Sequence, residues 1–296
     1  MKLQGCGTAL VTPFLSDGSL DEPSFRALVD SQLDQGVSLL IPCGTTGEAS
    51  TLTEAETQRV IEITIEVGGG RVPVFAGCTH NSTAQAVLNA RRIAKIPNLS
   101  GILTANPYYN RPNQEGQFQH FRAIAEAVDL PILLYNIPGR TATNLLPETV
   151  LRLTELPNIV GIKESSGVMG QITDLLAHAP GNFSVLAGDD ALALPVIALG
   201  GTGLVSVASN AIPGPMSQMI AAALSNDWPA ARALNSRYFA LMQAHFIEPS
   251  PAPIKATLAL LGRCTETLRL PMVPVTEATR TKLESILRGL NLLPSK

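Results

Sequence analysis

The sequence predicts an α/β fold, a (β/α)8 TIM barrel followed by a C-terminal helical appendage. Three observations carry this reading. Eight short apolar or β-branched runs recur along the chain, helical periodicity separates them, and no G-x-G-x-x-G follows the first. An open doubly wound sheet would more often have fewer strands and that glycine fingerprint.

The eight runs are GTALVTPF (7–14), SLLIPCGTT (38–46), VPVFAGC (72–78), GILTANPYY (101–109), PILLYNIP (131–138), IVGIKESS (159–166), FSVLAGDD (183–190) and GLVSVAS (203–209). Helices between them open with start signals. Ser19-x-x-Glu22 and Thr53-x-x-Glu56 both read as capping boxes, in which side chains satisfy the free amides of a first turn. The GGTG of residues 200–203 precedes the eighth run, so it reads as a tight turn rather than a phosphate cradle. Eight units fill residues 1–225, and residues 226–296 form the appendage. Its helices are expected over 228–246, 253–262 and 276–290, with EPSPAP (248–253) disfavouring α conformation between the first two.

Composition bounds the function. The chain has 296 residues, 45% hydrophobic and 15% charged, enough apolar content for a large core. A net charge of -3 without a long basic run gives no reason to expect nucleic acid or an anionic membrane as partner. No window approaches the roughly 18 apolar residues of a membrane span, and the N-terminus has no leader pattern, so a soluble, cytoplasmic protein is expected. Cys6, Cys43, Cys78 and Cys264 show no C-x-x-C spacing and read as buried thiols. His80, His120, His178 and His245 are scattered, so no metal is expected. Asp189-Asp190 reads as a helix-starting or solvated pair.

In such a barrel, reacting groups sit at the carboxyl ends of strands. Of six lysines, Lys2 and Lys296 are terminal, Lys95 ends a helix, and Lys255 and Lys282 fall in the appendage. Lys163 alone lies in a strand-end position. Strict alternation puts Ile159, Gly161 and Lys163 on one face and Val160, Ile162 and Glu164 on the other. An amine on an apolar inner face is either paired with Glu164 or Asp189, or it is a nucleophile that attacks a ketone to form a Schiff base. Alternation favours the second. Such chemistry needs a proton shuttle, for which Tyr135 at the neighbouring strand end is the candidate; its other reading is a core aromatic. Gly44-Thr45-Thr46-Gly47 offers amides and hydroxyls to a carboxylate, although a plain βα turn would look similar. Arg140 either clamps a second carboxylate or is a solvated loop arginine.

Assembled, the motifs ALVTPF, CGTTGE, PYYNRPNQEG, LYNIPGR, GIKESSG, AGDD, GLVSV, PAPIK and TLRLPMVP make the chain resemble the dihydrodipicolinate synthase family of pyruvate-dependent Schiff-base aldolases. That resemblance spans nearly the whole length. It implies condensation of pyruvate with L-aspartate 4-semialdehyde in diaminopimelate and lysine biosynthesis, without a cofactor, in a homotetramer built from tight dimers. It assigns the imine to Lys163, and a hydroxyl relay to Tyr135, Thr45 and Tyr109, the last arriving from an adjacent subunit. Thr45 and Thr46 would bind the pyruvate carboxylate, Arg140 that of the semialdehyde, and Gly188 and Val205 would supply backbone near the site. GTTGE, YNIP and GIKE are shared with lyases of sialic acid and keto-deoxy sugar acids, the competing reading; a non-catalytic metabolite-binding barrel is a more distant one. The family's lysine-binding pocket would fall on Asn81, Tyr108, Ala49, Glu54, Thr57 and Gln85. An amide at Gln85 replaces the acid that neutralises lysine's amine, so weak or absent feedback inhibition is expected.

Overall fold

The computed structural model describes residues 1–293, which leaves the terminal Lys296 and the last residues of the expected appendage outside the described part. Eight strands run in chain order: β1 (Gly5–Ala9), β2 (Leu39–Ile41), β3 (Phe75–Gly77), β4 (Gly101–Ala105), β5 (Ile132–Asn136), β6 (Ile159–Glu164), β7 (Ser184–Ala187) and β8 (Gly203–Ser206). They form one parallel sheet in the order β2-β1-β8-β7-β6-β5-β4-β3. A parallel bridge between Leu40 and Val74 brings its two ends together. The result is the expected (β/α)8 barrel.

Each strand is buried on both faces, the condition under which parallel strands are apolar throughout. Leu39, Ile41, Phe75, Leu103, Leu133 and Leu186 fill the interior, whereas Leu40, Ile102, Ile132, Leu134 and Ile162 pack outward under the helices. Strands are shorter than the apolar runs because the residues after them turn away as βα loops.

Two local expectations fail. The helix Glu22–Asp34 is capped by Asp21, whose side chain accepts from Ser24 N, with Pro23 in its first turn. Ser19 is drawn instead to Asp17, which accepts from both its hydroxyl and its amide. An Asp placed immediately before a Pro-containing first turn is the better cap. The Thr53–Glu56 box forms as predicted, with Thr53 N bonding Glu56 at 2.8 Å.

The second failure lies in β6. Ile132 pairs with Ile159 but the next residue, Leu133, pairs with Gly161, so β6 carries one extra residue. Ile159 therefore joins the outer core and Val160 packs against the inner one, opposite to strict alternation. Beyond the bulge the register recovers, and Tyr135 pairs with Lys163.

The appendage contains helices Trp228–Ala244, Ala252–Leu260 and Glu277–Gly289, each within two residues of its expected ends. Tyr238, Leu241 and Leu287 share an apolar cluster with Ile172, Ala187 and Met216 of the barrel. Glycines 200 and 203 make a tight turn into β8, where a side chain on Gly203 would overlap the Gly5 carbonyl. That agrees with the turn reading of GGTG.

Candidate active site

The bulge and pairing of β5 with β6 set the geometry of the mouth. Lys163 and Tyr135 are adjacent partners, both inward and nearly buried at 5% and 6% exposure, and Lys163 Nζ lies 4.2 Å from the Tyr135 ring centroid. Glycine is required at position 188, immediately beyond β7. A Cβ there would stand 3.0 Å from Lys163 Cε and 1.8 Å from Ser165 Oγ. Gly188 thus makes the space that the lysine side chain occupies.

Carboxylates do not pair with this lysine in the ways the alternative reading required. Glu164 faces outward, where Asn136 Nδ2 and Ser166 N donate to it at 3.0 and 2.6 Å. Burial pushes its carboxyl above the ordinary range, opposed by those hydrogen bonds. Asp189 accepts from Ala191 N and starts a short 3₁₀ turn. Asp190 is buried and accepts from Ser206 Oγ, Val207 N and Ala208 N, tying the end of β7 to that of β8. The acidic pair is therefore structural, as the helix-starting reading had it for Asp189.

Asn136, next to Tyr135, is a supporting residue. Its Oδ1 accepts from Asn106 Nδ2 and Leu145 N, and its Nδ2 donates to Glu164, so the ends of β4, β5 and β6 are bonded together. A fully bonded buried amide resists local movement. Tyr135 and Lys163 inherit that rigidity.

Above this floor opens a cavity of about 370 Å³ lined by Gly44, Thr45, Ala49, Tyr108, Tyr135 and Arg140, among others. Thr45 is exposed to it, whereas Thr46 is buried. The Gly44–Glu48 turn closes on itself, with Gly47 N and Ala49 N both donating to Gly44 O, and Thr12 Oγ1 bonds Gly47 O at 2.7 Å. Arg140 borders the cavity while its Nη2 donates to Ser250 O at 2.9 Å, so the guanidinium is anchored rather than freely solvated. Val205 is fully buried in the inner cluster with Tyr135 and Leu186.

Tyr109 is not brought to the others. It is 88% exposed with φ of 73°, while Tyr108 lines the cavity. Of the residues assigned to a lysine-binding pocket, Ala49 and Tyr108 share the cavity wall. Glu54 is held by Arg92, Gln85 donates to Asn89, and Asn81 O accepts from Asn110. Cys43 and Cys78 are buried, and desolvation pushes both thiols up to about 12. They are inert at neutral pH.

One residue of this region escaped the sequence reading. Lys255, placed in the appendage, is fully buried and pairs with Glu48 at the end of the Gly44–Glu48 turn. Its sequence signals were its place in the PAPIK motif and its position inside the mostly apolar stretch PAPIKATLAL.

An inward lysine stacked on a tyrosine at the carboxyl ends of barrel strands, under a hydroxyl- and arginine-lined mouth, defines a barrel equipped for Schiff-base chemistry. The model of the Dihydrodipicolinate synthetase family matches residues 2–290, and the chain belongs to that family. A relative from Acidobacterium capsulatum named 4-hydroxy-tetrahydrodipicolinate synthase is 58% identical, covering 99% of this chain and 97% of its own length. One of the same name from Koribacter versatilis is 57% identical over 97% of this chain and 95% of its own. Among solved structures, the chloride-inhibited dihydrodipicolinate synthase from Acinetobacter baumannii complexed with pyruvate superposes with a TM-score of 0.96 at 39% identity, covering 99% of this chain and all of that one.

Proposed function

We propose that the chain is a 4-hydroxy-tetrahydrodipicolinate synthase whose nucleophile is Lys163. The observation that carries the assignment is the Lys163–Tyr135 contact beneath the cavity. The Lys163 amine adds to C2 of pyruvate, and the carbinolamine loses water to give a protonated imine. Loss of a C3 proton yields the enamine, whose C3 attacks the aldehyde carbon of aspartate semialdehyde. The semialdehyde amine then attacks the imine carbon, closing the ring and expelling Lys163. Tyr135 moves the protons. Thr45 and Thr46 hold the pyruvate carboxylate, with backbone near Gly188 and Val205 around it, and Arg140 takes the second carboxylate, a match for its planar fork.

The exposed Tyr109 supports assembly into a homotetramer of tight dimers, in which this tyrosine completes the relay of a neighbouring subunit. No helix among the described residues is long and apolar enough to cross a membrane, consistent with a cytoplasmic enzyme. We also read residues 1–225 and 226–296 as catalytic and helical units.

Incubation with pyruvate and borohydride, followed by peptide mass mapping, tests the reading. A reduced pyruvate adduct on Lys163, together with condensation of aspartate semialdehyde, is the expected result. Cleavage of sialic acid or a keto-deoxy sugar acid without condensation would transfer the chain to the related lyases. Absence of any adduct would leave only a binding barrel.

A further inference from the structure

The turn that faces the cavity with Thr45 ends in a buried acid. Glu48 has φ of 53°, is 4% exposed, and closes the turn by donating its amide to Thr45 O. Its carboxylate receives Lys255 Nζ on one side and Arg269 N at 3.1 Å on the other. Lys255 also donates to Thr267 O at 2.8 Å and lies 4.2 Å from the Phe14 ring centroid. Arg269 stacks on the same ring at 4.3 Å and bonds Glu56, Thr51 O and Gly18 O. Desolvation works to lower the Lys255 pKa, and the Glu48 carboxylate opposes it.

Two consequences follow from this arrangement. A carboxylate lies three residues from the hydroxyl assigned to bind pyruvate's own carboxylate, and without Lys255 its charge would be unpaired and repel that ligand. The lysine also belongs to the stretch that begins at Ser250, whose carbonyl anchors Arg140. One short segment of the appendage therefore holds both anion-binding elements of the mouth.

We propose that Lys255 is a positioning residue for pyruvate: by pairing with Glu48 it neutralises the Gly44–Glu48 turn and fixes Thr45 and Thr46 for the substrate carboxylate. The proposal rests on the carboxylate assignment made above. Lys255 touches no substrate and takes no part in proton transfer.

The test measures steady-state kinetics of the full-length enzyme with Lys255→Met and with Glu48→Gln, after circular dichroism confirms folding. In Lys255→Met, the pyruvate KM should rise about tenfold, while kcat and the KM for aspartate semialdehyde stay within about threefold. Glu48→Gln should raise the pyruvate KM less, because it leaves no unpaired anion in the turn. A role in stability alone would lower the melting temperature and leave KM unmoved. If Lys255→Met does not fold, Glu48→Gln decides. A pyruvate KM within twofold of the parent in the folded variants overturns the proposal. Thr45→Val separates the two levels: if it raises the pyruvate KM while the others do not, only the role of Lys255 fails; if it too has no effect, the carboxylate assignment falls as well.

Discussion

Lys163 Nζ sits over the face of Tyr135, its partner across the β5–β6 ladder, rather than at the tyrosine hydroxyl. The two acids that could have paired with it, Glu164 and Asp189, are bonded elsewhere. Neither is an ion-pair partner that a ketone would have to displace.

Replacing Lys163 with Ala or Arg should abolish turnover and the borohydride-trapped adduct together. Tyr135→Phe should act differently. Loss of a general acid–base group lowers kcat by about 10²–10⁴-fold, yet an adduct on Lys163 should still accumulate slowly with pyruvate. Adduct mass and rate, measured in both variants, distinguish nucleophile from shuttle. Full activity in Lys163→Ala would end the mechanism.

Gly188→Ala places a methyl against Ser165 Oγ and the Lys163 stem. Overpacking of this kind costs about 1–3 kcal/mol, and the easiest relief is displacement of one of those two side chains. Both a lower urea midpoint and a fall in the rate of imine trapping are expected. An unchanged trapping rate would mean that the lysine does not need the space.

Assembly should matter to chemistry if Tyr109 serves a neighbour. Dilution below the dissociation concentration, followed by assay at constant pyruvate and semialdehyde, should show specific activity falling in parallel with the oligomer seen by analytical ultracentrifugation. Tyr109→Phe should reduce kcat in the intact assembly without changing its size. A fully active monomer contradicts the relay.

Feedback by lysine should be weak. Gln85 is neutral and already donates to Asn89. At that position the effector's ammonium meets an amide in place of a carboxylate. Half-maximal inhibition well below millimolar lysine in a direct activity assay would contradict this.

Acid should destabilise the fold through its buried histidines. His245 is completely buried beside Thr257, and desolvation lowers its pKa from 6.5 to about 3; His120 falls to about 4. Below pH 6.5 the unfolded chain therefore binds protons that the folded one refuses, so stability falls as pH decreases. His245 alone should contribute a loss of about 2 kcal/mol between pH 7 and pH 5. Urea unfolding at the two pH values should show that loss shrinking in His245→Gln. Equal pH sensitivity in both proteins would assign it elsewhere.

The barrel was legible because its signals are repetitive: β-branched runs and helical stretches recur eight times, and strand-end chemistry follows from topology. Lys163 and Tyr135 could be paired in advance since they occupy equivalent places on consecutive strands. Features that depend on tertiary geometry were not legible. The face of Ile159 was misassigned because a bulge leaves no mark in a run of apolar residues, and the Ser19 box lost to Asp21 through competition between two good caps. Lys255 looked like an ordinary tail lysine because its acid lies 207 positions earlier in the chain, beyond any local pattern.

The additional residue in β6 has a consequence for the electrical character of the mouth. Neighbouring positions on that strand hold opposite charges, Lys163 inward and Glu164 toward the helices. Were β6 regular instead, with the Ile132–Ile159 pairing kept and Val160 set opposite Leu133, the strand would slide by one place, present Glu164 to the lumen and turn Lys163 toward the aliphatic side chains under the helices. A single backbone irregularity thereby decides whether the entrance welcomes oxo acids or repels them.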